Sequence, residues 1–308
     1  MKIGNIKLKN RVFLAPMMEV TDLPFRVLCC RYGAGLVYTE MVVANSLVNN
    51  SKKAIETIRT CEEEKPVGVQ LAGNNKEIIL KASKMTNGDL IDLNFGCPSY
   101  KVIETDICSA LLKKPKKIGE IIGYLVENQN KPVTAKIRLG AKNKNYLQVA
   151  KQIEENGGSA ICLHGRTALQ SYEAKADWNA VKKLKKFVSI PVIGNGDVIN
   201  GQIAEKLLND VDFIMIGRGA IGDPFVFDRI NRYLKNKEEV VLPSLEEKYK
   251  CFLEYCRLSE KYKTYNFKKI KRTAVSFAKN VSRSAKLRGE LNNCKNSDEI
   301  NEKFERFI

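Results

Sequence analysis

Cys97 lies between Gly96 and Pro98 in Asn94-Phe95-Gly96-Cys97-Pro98, which puts its thiol in a stiff bend at the end of an apolar run and not on a helix face. An ordinary cysteine thiol, with a pKa near 8.5, is mostly protonated at pH 7 and can donate a proton as a general acid. As a thiolate it is a nucleophile and wants a nearby base. His164 is the sole histidine and could be that base, so these residues leave both uses of Cys97 open. One imidazole cannot serve both a Ser-His-Asp triad and a His-rich metal site, and the nine cysteines show no C-x-x-C spacing. No metal is expected. Cys29, Cys162, Cys251, Cys256 and Cys294 read as small buried hydrophobes.

Other residues point to an anion. Lys136 falls within an apolar run, where an ammonium is expensive unless it meets a salt-bridge partner, a phosphate or a flavin that turns negative on reduction. Gln70 offers a donor and an acceptor in one plane, which matches an imide or pyrimidine edge as well as it matches a satisfied core amide. The glycines of Asn195-Gly196-Asp197 and Gly217-Arg218-Gly219 let backbone N–H groups come close to an anion, which implies a phosphorylated cofactor. Residues 217–222 also fit G-x-G-x-x-G. That fingerprint belongs on the first βα unit of a dinucleotide fold, whereas here it follows the last strand-like run and leads into Asp223-Pro224. A barrel phosphate loop accounts for the same glycines.

Eight β-rich runs would position these residues: 11–15, 36–40, 67–71, 90–94, 133–138, 160–163, 191–194 and 212–216. Runs such as Phe213-Ile214-Met215-Ile216 are apolar throughout, as in parallel strands buried on both faces. Helical stretches over 75–85, 145–156 and 201–208 alternate with them, which predicts a TIM (β/α)8 barrel across residues 1–238, with a doubly wound open sheet as the competitor. In a barrel, the chemistry sits at the C-terminal ends of the strands, and the residues singled out above gather there.

Residues 239–308 read as a small all-helical domain. Ser244 and Glu247 form a capping box, and Ile270, Ala274, Phe277, Ala278 and Val281 make one apolar helical stripe, with Lys268, Arg272 and Lys279 on another face. From Lys261 to Gly289 there are ten basic residues and no acidic one, within a chain of net charge +17. Such a segment repels itself unless a polyanion answers it, so nucleic acid is the expected partner. A membrane surface fits less well, because the stripe lacks Trp and Leu. No apolar run approaches a membrane span, and Val12 to Met18 is broken by Pro16 and followed by Glu19, so the expectation is a soluble cytoplasmic protein.

Taken in order, the chain resembles the tRNA-dihydrouridine synthase family. The stretches that carry the resemblance run from Ala15-Pro16-Met17-Met18 through Thr21-Asp22-Leu23-Pro24-Phe25-Arg26, Thr39-Glu40-Met41, Val69-Gln70-Leu71 and Asn94-Phe95-Gly96-Cys97-Pro98. They continue with Lys136-Ile137-Arg138-Leu139-Gly140, His164-Gly165-Arg166-Thr167, Ala176-Asp177-Trp178, Asn195-Gly196-Asp197 and Gly217-Arg218-Gly219. The resemblance implies an FMN-holding barrel followed by a tRNA-binding helical domain. It places Pro16, Met17 and Met18 behind the flavin ring, Gln70 and Lys136 at its polar edge, and His164 beside it. Asn195, Gly196, Asp197, Gly217 and Arg218 go to its phosphate. It implies that reduced FMN gives hydride to C6 of a flipped-out uridine in tRNA, that Cys97 protonates C5, and that NADPH restores the flavin. Asn94, Arg138, Arg166, Lys268, Lys271, Arg272 and Lys279 are the residues expected to meet the RNA. The family commonly has glycine where this chain has Asp106, Cys108 and Ala174.

Two other readings stand beside this one. One is a barrel flavoenzyme that reduces a free pyrimidine-like molecule, and the other is an RNA-binding protein whose barrel has lost its chemistry. The uncompensated basic segment speaks against the first, because small-molecule catalysis has no use for it.

Overall fold

The computed structural model describes residues 1–98 and 106–308. An antiparallel hairpin of β1 (Lys2–Ile3) and β2 (Ile6–Lys7) comes first, turning at Gly4 with φ 56°. The sequence signal for it, Gly4-Asn5 between isoleucines, is a two-residue hairpin turn, but so short a pair escapes strand counting.

One all-parallel sheet follows. Its strands are β3 (Val12–Leu14), β4 (Val37–Tyr38), β5 (Val42–Val43), β6 (Val67–Ala72), β7 (Leu90–Phe95), β8 (Val133–Arg138), β9 (Ala160–His164), β10 (Val192–Asn195) and β11 (Phe213–Ile216). They are ordered β3-β11-β10-β9-β8-β7-β6-β4, with β5 also on β6. The two ends meet, because Leu14 N–H donates to the Leu36 carbonyl at 2.9 Å and Gly35 N–H to the Val12 carbonyl at 2.8 Å. The sheet therefore curls into an eight-position barrel, and the open-sheet alternative falls.

All eight predicted runs contain a strand. The second, expected unbroken over 36–40, is interrupted at Thr39, Glu40 and Met41 before pairing resumes at β5. The cause is side-chain competition for backbone groups. Thr39 Oγ1 accepts the Gln70 N–H at 3.1 Å, and the Glu40 carboxylate accepts the Glu19 N–H at 2.6 Å.

Period-two alternation sorts the strands into two cores. Phe13, Leu90, Cys162, Ile193, Phe213 and Met215 point inward and fill the barrel, and Ile3 and Leu8 close its lower end. Ile91, Leu93, Ile137, Leu163 and Ile214 point outward against the helices. Those helices are α1 (Leu23–Arg31), α2 (Ala44–Val48), α3 (Lys52–Thr57), α4 (Lys76–Lys84), α5 (Pro115–Asn128), α6 (Tyr146–Glu155), α7 (Trp178–Phe187), α8 (Gly201–Leu208) and α9 (Val226–Asn236). Asp22, Asn75, Asp177 and Asn200 cap α1, α4, α7 and α8 by accepting first-turn N–H groups, which fixes where each helix begins.

Four helices complete the chain: α10 (Leu245–Lys261), α11 (Phe267–Phe277), α12 (Ser284–Asn293) and α13 (Ser297–Phe307). The Ser244–Glu247 capping box is present. Phe252 sits 6.1 Å from Phe277 and 5.5 Å from Phe304 between ring centroids, at the centre of a helical core that is continuous with the outer barrel core. The expected single stripe is corrected here. Ile270, Ala274 and Phe277 are buried on α11, but the helix ends at Phe277, and Val281 lies in the turn beyond it. Asn280 and Arg283 take left-handed backbone (φ 57° and 54°), and Ser284 Oγ donates to the Ala278 carbonyl at 2.7 Å, so the chain turns instead of continuing. Lys279 consequently stands past the helix and not on a face shared with Lys268 and Arg272. No helix among the described residues is long and apolar enough to cross a membrane.

Candidate active site

The inward residues change character toward the C-terminal ends of the strands. Gln70 lies opposite Asp92 in register, Asp92 opposite Thr134, Asn94 opposite Lys136, Arg138 opposite His164, and His164 opposite Asn195. Five adjacent strands, β6 to β10, thus lay a polar rung over an apolar plug. Above this rung opens a cavity of about 830 Å³, within the usual range for cofactor sites. Pro16, Met17, Met18, Gln70, Asn94, Cys97, Lys136, Arg138, His164, Arg166, Asn195, Gly196, Asp197, Gly217 and Arg218 all line it. Lys268, Lys271, Arg272 and Lys279 do not.

The rung is tied by directed hydrogen bonds. Thr134 Oγ1 and Gln70 Nε2 each donate to Asp92 at 2.7 Å. Asn94 Nδ2 donates to Gln70 Oε1 at 2.8 Å, and Asn94 Oδ1 accepts the N–H groups of Gly96 and Cys97 at 3.0 and 2.9 Å. Burial pushes the Asp92 carboxyl up to about 6, against the pull of its two donors and of Lys136. Lys136 Nζ donates to Asn195 Oδ1 at 3.2 Å, and burial lowers its pKa. Arg138 is pinned by the carbonyls of Gly96 and Thr167, both at 2.8 Å.

On the far side, Arg166 Nη2 bonds both Asp197 oxygens at 2.9 and 2.8 Å, and Arg218 Nη2 bonds one of them at 3.1 Å. Arg166 Nη1 lies 3.1 Å from His164 Nε2. A guanidinium only donates, so Nε2 is the bare nitrogen and Nδ1 carries the proton. Burial, followed by the charges of Lys136, Arg138, Arg166 and Arg218, lowers the His164 pKa to about 2. Both effects favour the neutral imidazole.

Two polar cavity residues escape the sequence reading. Tyr172 lies under the Arg218 guanidinium, 4.7 Å from its ring centroid, with Arg138 at 5.9 Å and the His164 ring at 6.1 Å. It sits in a loop with no periodicity, so nothing in the sequence marks it. Asn280 comes from the turn after α11 and brings the basic segment to the cavity mouth. Asp92, by contrast, is two residues before Asn94 on one strand, and strand alternation alone could have found it.

Among the described residues, no group of three His, Cys, Asp or Glu side chains is arranged to hold a metal. The cavity suits an anionic ring compound. Four cations (Lys136, Arg138, Arg166 and Arg218) line it against one carboxylate, Asp197. A Cβ at Gly217 would project into open cavity, with nothing nearer than Ala15 Cβ at 3.7 Å and Met17 Sδ at 3.8 Å, so the missing side chain leaves a cradle.

The family model described as "Dihydrouridine synthase (Dus)" matches residues 13–308. The chain belongs to the dihydrouridine synthase family. It is 38% identical to the probable tRNA-dihydrouridine synthase of Rickettsia conorii, over 99% of this chain and 96% of that protein. It is also 38% identical to tRNA-dihydrouridine synthase B of Pasteurella multocida, over 87% of this chain and 82% of that one. Among solved structures, histamine dehydrogenase from Rhizobium sp. 4-9 superposes with a TM-score of 0.57 at 16% identity, covering 84% of this chain. A 2-naphthoyl-CoA reductase does so at 0.59 and 13%, covering 76%. The chain spans about half the length of these two structures, and the likeness shows the fold alone. Against the glycines expected of a dihydrouridine synthase, Asp106 and Cys108 both hold positive φ, 53° and 55°, the region that favours glycine. Ala174 does not, and only its carbonyl is used, accepting Arg166 Nε at 2.6 Å.

Proposed function

We propose that this chain reduces the C5=C6 bond of uridines in tRNA to 5,6-dihydrouridine, with FMN in the barrel cavity and NADPH as the outside reductant. The observation that carries the reading is the junction of two features. A cation-rich cavity has Cys97 on its wall, and its mouth is bordered by Asn280, next to the exposed Lys279, which makes no ion pair among the described residues. Pro16, Met17, Met18 and the Gly217 cradle would hold the ring. Lys136 and the second Gln70 N–H would face its polar edge, and Asn195, Gly196 and Arg218 would reach its phosphate. Asp197 would act through the arginines it orients. Bound FMN in its reduced form would supply the hydride for C6.

The chain's own groups supply the rest. Cys97 holds the proton for C5. His164 is unsuited to serve as its base, since Nε2 is occupied by Arg166 and Nδ1 already bears a hydrogen; this supports the general-acid use over the nucleophilic one. Arg138 and Arg166, fixed by backbone carbonyls, offer preset positive charge to an incoming nucleotide, and Tyr172 offers it a ring face. Of the four basic residues assigned to RNA outside the cavity, Lys268 and Lys279 are exposed and make no ion pair among the described residues. Lys271 donates to the Asn292 and Cys294 carbonyls, and Arg272 is bound to Glu19, so those two support the domain's attachment first.

The test is to express the chain in cells that lack dihydrouridine, map the modified positions in their tRNA, and repeat the assay with purified protein. We expect reduction of tRNA, a loss of roughly 10² or more with Cys97→Ala, and most of the activity kept with Cys108→Ala. The affinity for tRNA should fall by roughly 10³ or more between about 50 and 200 mM salt. Salt-insensitive turnover of free uridine, or equal loss in both cysteine variants, overturns the reading.

A further inference from the structure

Asp92 is buried, ionisable and three hydrogen bonds away from the Cys97 amide, and nothing in the proposed reaction uses it directly. Its bonds have a direction. An ionised carboxylate only accepts, so Gln70 must turn its Nε2 toward Asp92 and its Oε1 the other way. Asn94 must then present Nδ2 to Gln70, which leaves Oδ1 facing the Gly96 and Cys97 amides at 3.0 and 2.9 Å. The relay is fixed at both ends, because the carboxylate only accepts and the Gly96 and Cys97 N–H groups only donate, so the two side-chain amides between them have one self-consistent orientation. We infer that Asp92 is a positioning residue, the acceptor that anchors the buried end of an Asp92–Gln70–Asn94 relay holding the Cys97 backbone at the cavity wall. The importance of that loop rests on the reading of Cys97 as proton donor, but the relay itself does not.

Thr134 makes the inference testable, because its hydroxyl donates to Asp92 and can equally accept. In Asp92→Asn the new amide can give its N–H to Thr134 and keep its oxygen toward Gln70, so the relay should survive. In Asp92→Leu no acceptor remains for Gln70 Nε2, so Gln70 loses its anchor and Asn94 loses the fixed partner that steadies it.

Amide hydrogen exchange on the full-length, cofactor-loaded protein reads this without an activity assay. We expect the Gly96 and Cys97 amides to exchange roughly tenfold faster in Asp92→Leu, to stay within about twofold of the parent in Asp92→Asn, and β10 to be unchanged in both. If Asp92→Leu does not fold, a second cycle decides. Asn94→Asp faces one acceptor with another and should lower the melting temperature. Adding Asp92→Asn lets Gln70 turn round, donating to the carboxylate at 94 and accepting from the amide at 92, and should recover most of that loss, so the two changes are strongly non-additive. Unchanged protection of Gly96 and Cys97 in a folded Asp92→Leu, or simple additivity in the cycle, overturns the inference. A protein that passes these tests yet leaves tRNA unreduced keeps the relay and loses the proposed function.

Discussion

His164 illustrates how much a single residue's surroundings decide. The free imidazole titrates near 6.5, but burial and four neighbouring cations bring this one down to about 2. Protonation therefore favours the unfolded chain. The stability tied to the neutral ring is fully present above pH 6.5 and falls as the pH drops from there toward the folded-state value. Because the chain has one histidine, its ring proton resonance is unambiguous. It should hold its neutral position from pH 8 down to pH 5, and a midpoint near 6.5 would show the ring to be solvated. Sequence made this residue visible as the only imidazole, but its tautomer depends on how Arg166, two residues on, folds back over the ring, and its charge also on Lys136 and Arg138 from the neighbouring β8. Tyr172 was invisible for a related reason, since its environment of two guanidiniums is assembled wholly by the fold.

At the scale of elements, strand order and phase were legible because buried parallel strands write themselves as apolar runs, and β8 was read at its observed ends. The failures came where a side chain took over a backbone bond, as at Thr39, or where left-handed residues ended a helix early, as after Phe277. One attachment was missed because it joins distant elements. Arg26 on α1 donates to Glu64 at 2.6 Å with both side chains fully buried, and also to the carbonyls of Thr21 and Arg59. The arginine of the Asp22-Leu23-Pro24-Phe25-Arg26 stretch is thus a fastener. Arg26→Ala should cost about 3–5 kcal/mol in urea unfolding, by stranding the Glu64 carboxylate. Pairing Arg26→Met with Glu64→Leu should recover part of that loss. A cost below about 1 kcal/mol for Arg26→Ala would show the pair to be incidental.

At the scale of the whole molecule, the excess positive charge could be read from the sequence, but not which charges are spent internally. Lys261 pairs with Glu63, Lys269 with Asp22 at 3.8 Å, and Arg272 with Glu19, so part of the basic run fastens the helices to the barrel. Lys263, Lys268, Lys279, Arg283 and Lys286 remain outward, which leaves a smaller free field than the composition suggests. The small N-terminal hairpin has a kinetic meaning. With Ile3 and Leu8 stoppering the bottom of the barrel, the shaft is blind, and in the proposed reaction a nicotinamide and a nucleobase would have to use one doorway in turn. Initial-rate lines at several fixed concentrations of one reactant should therefore run parallel in double-reciprocal form; intersecting lines would mean that both visitors fit at once.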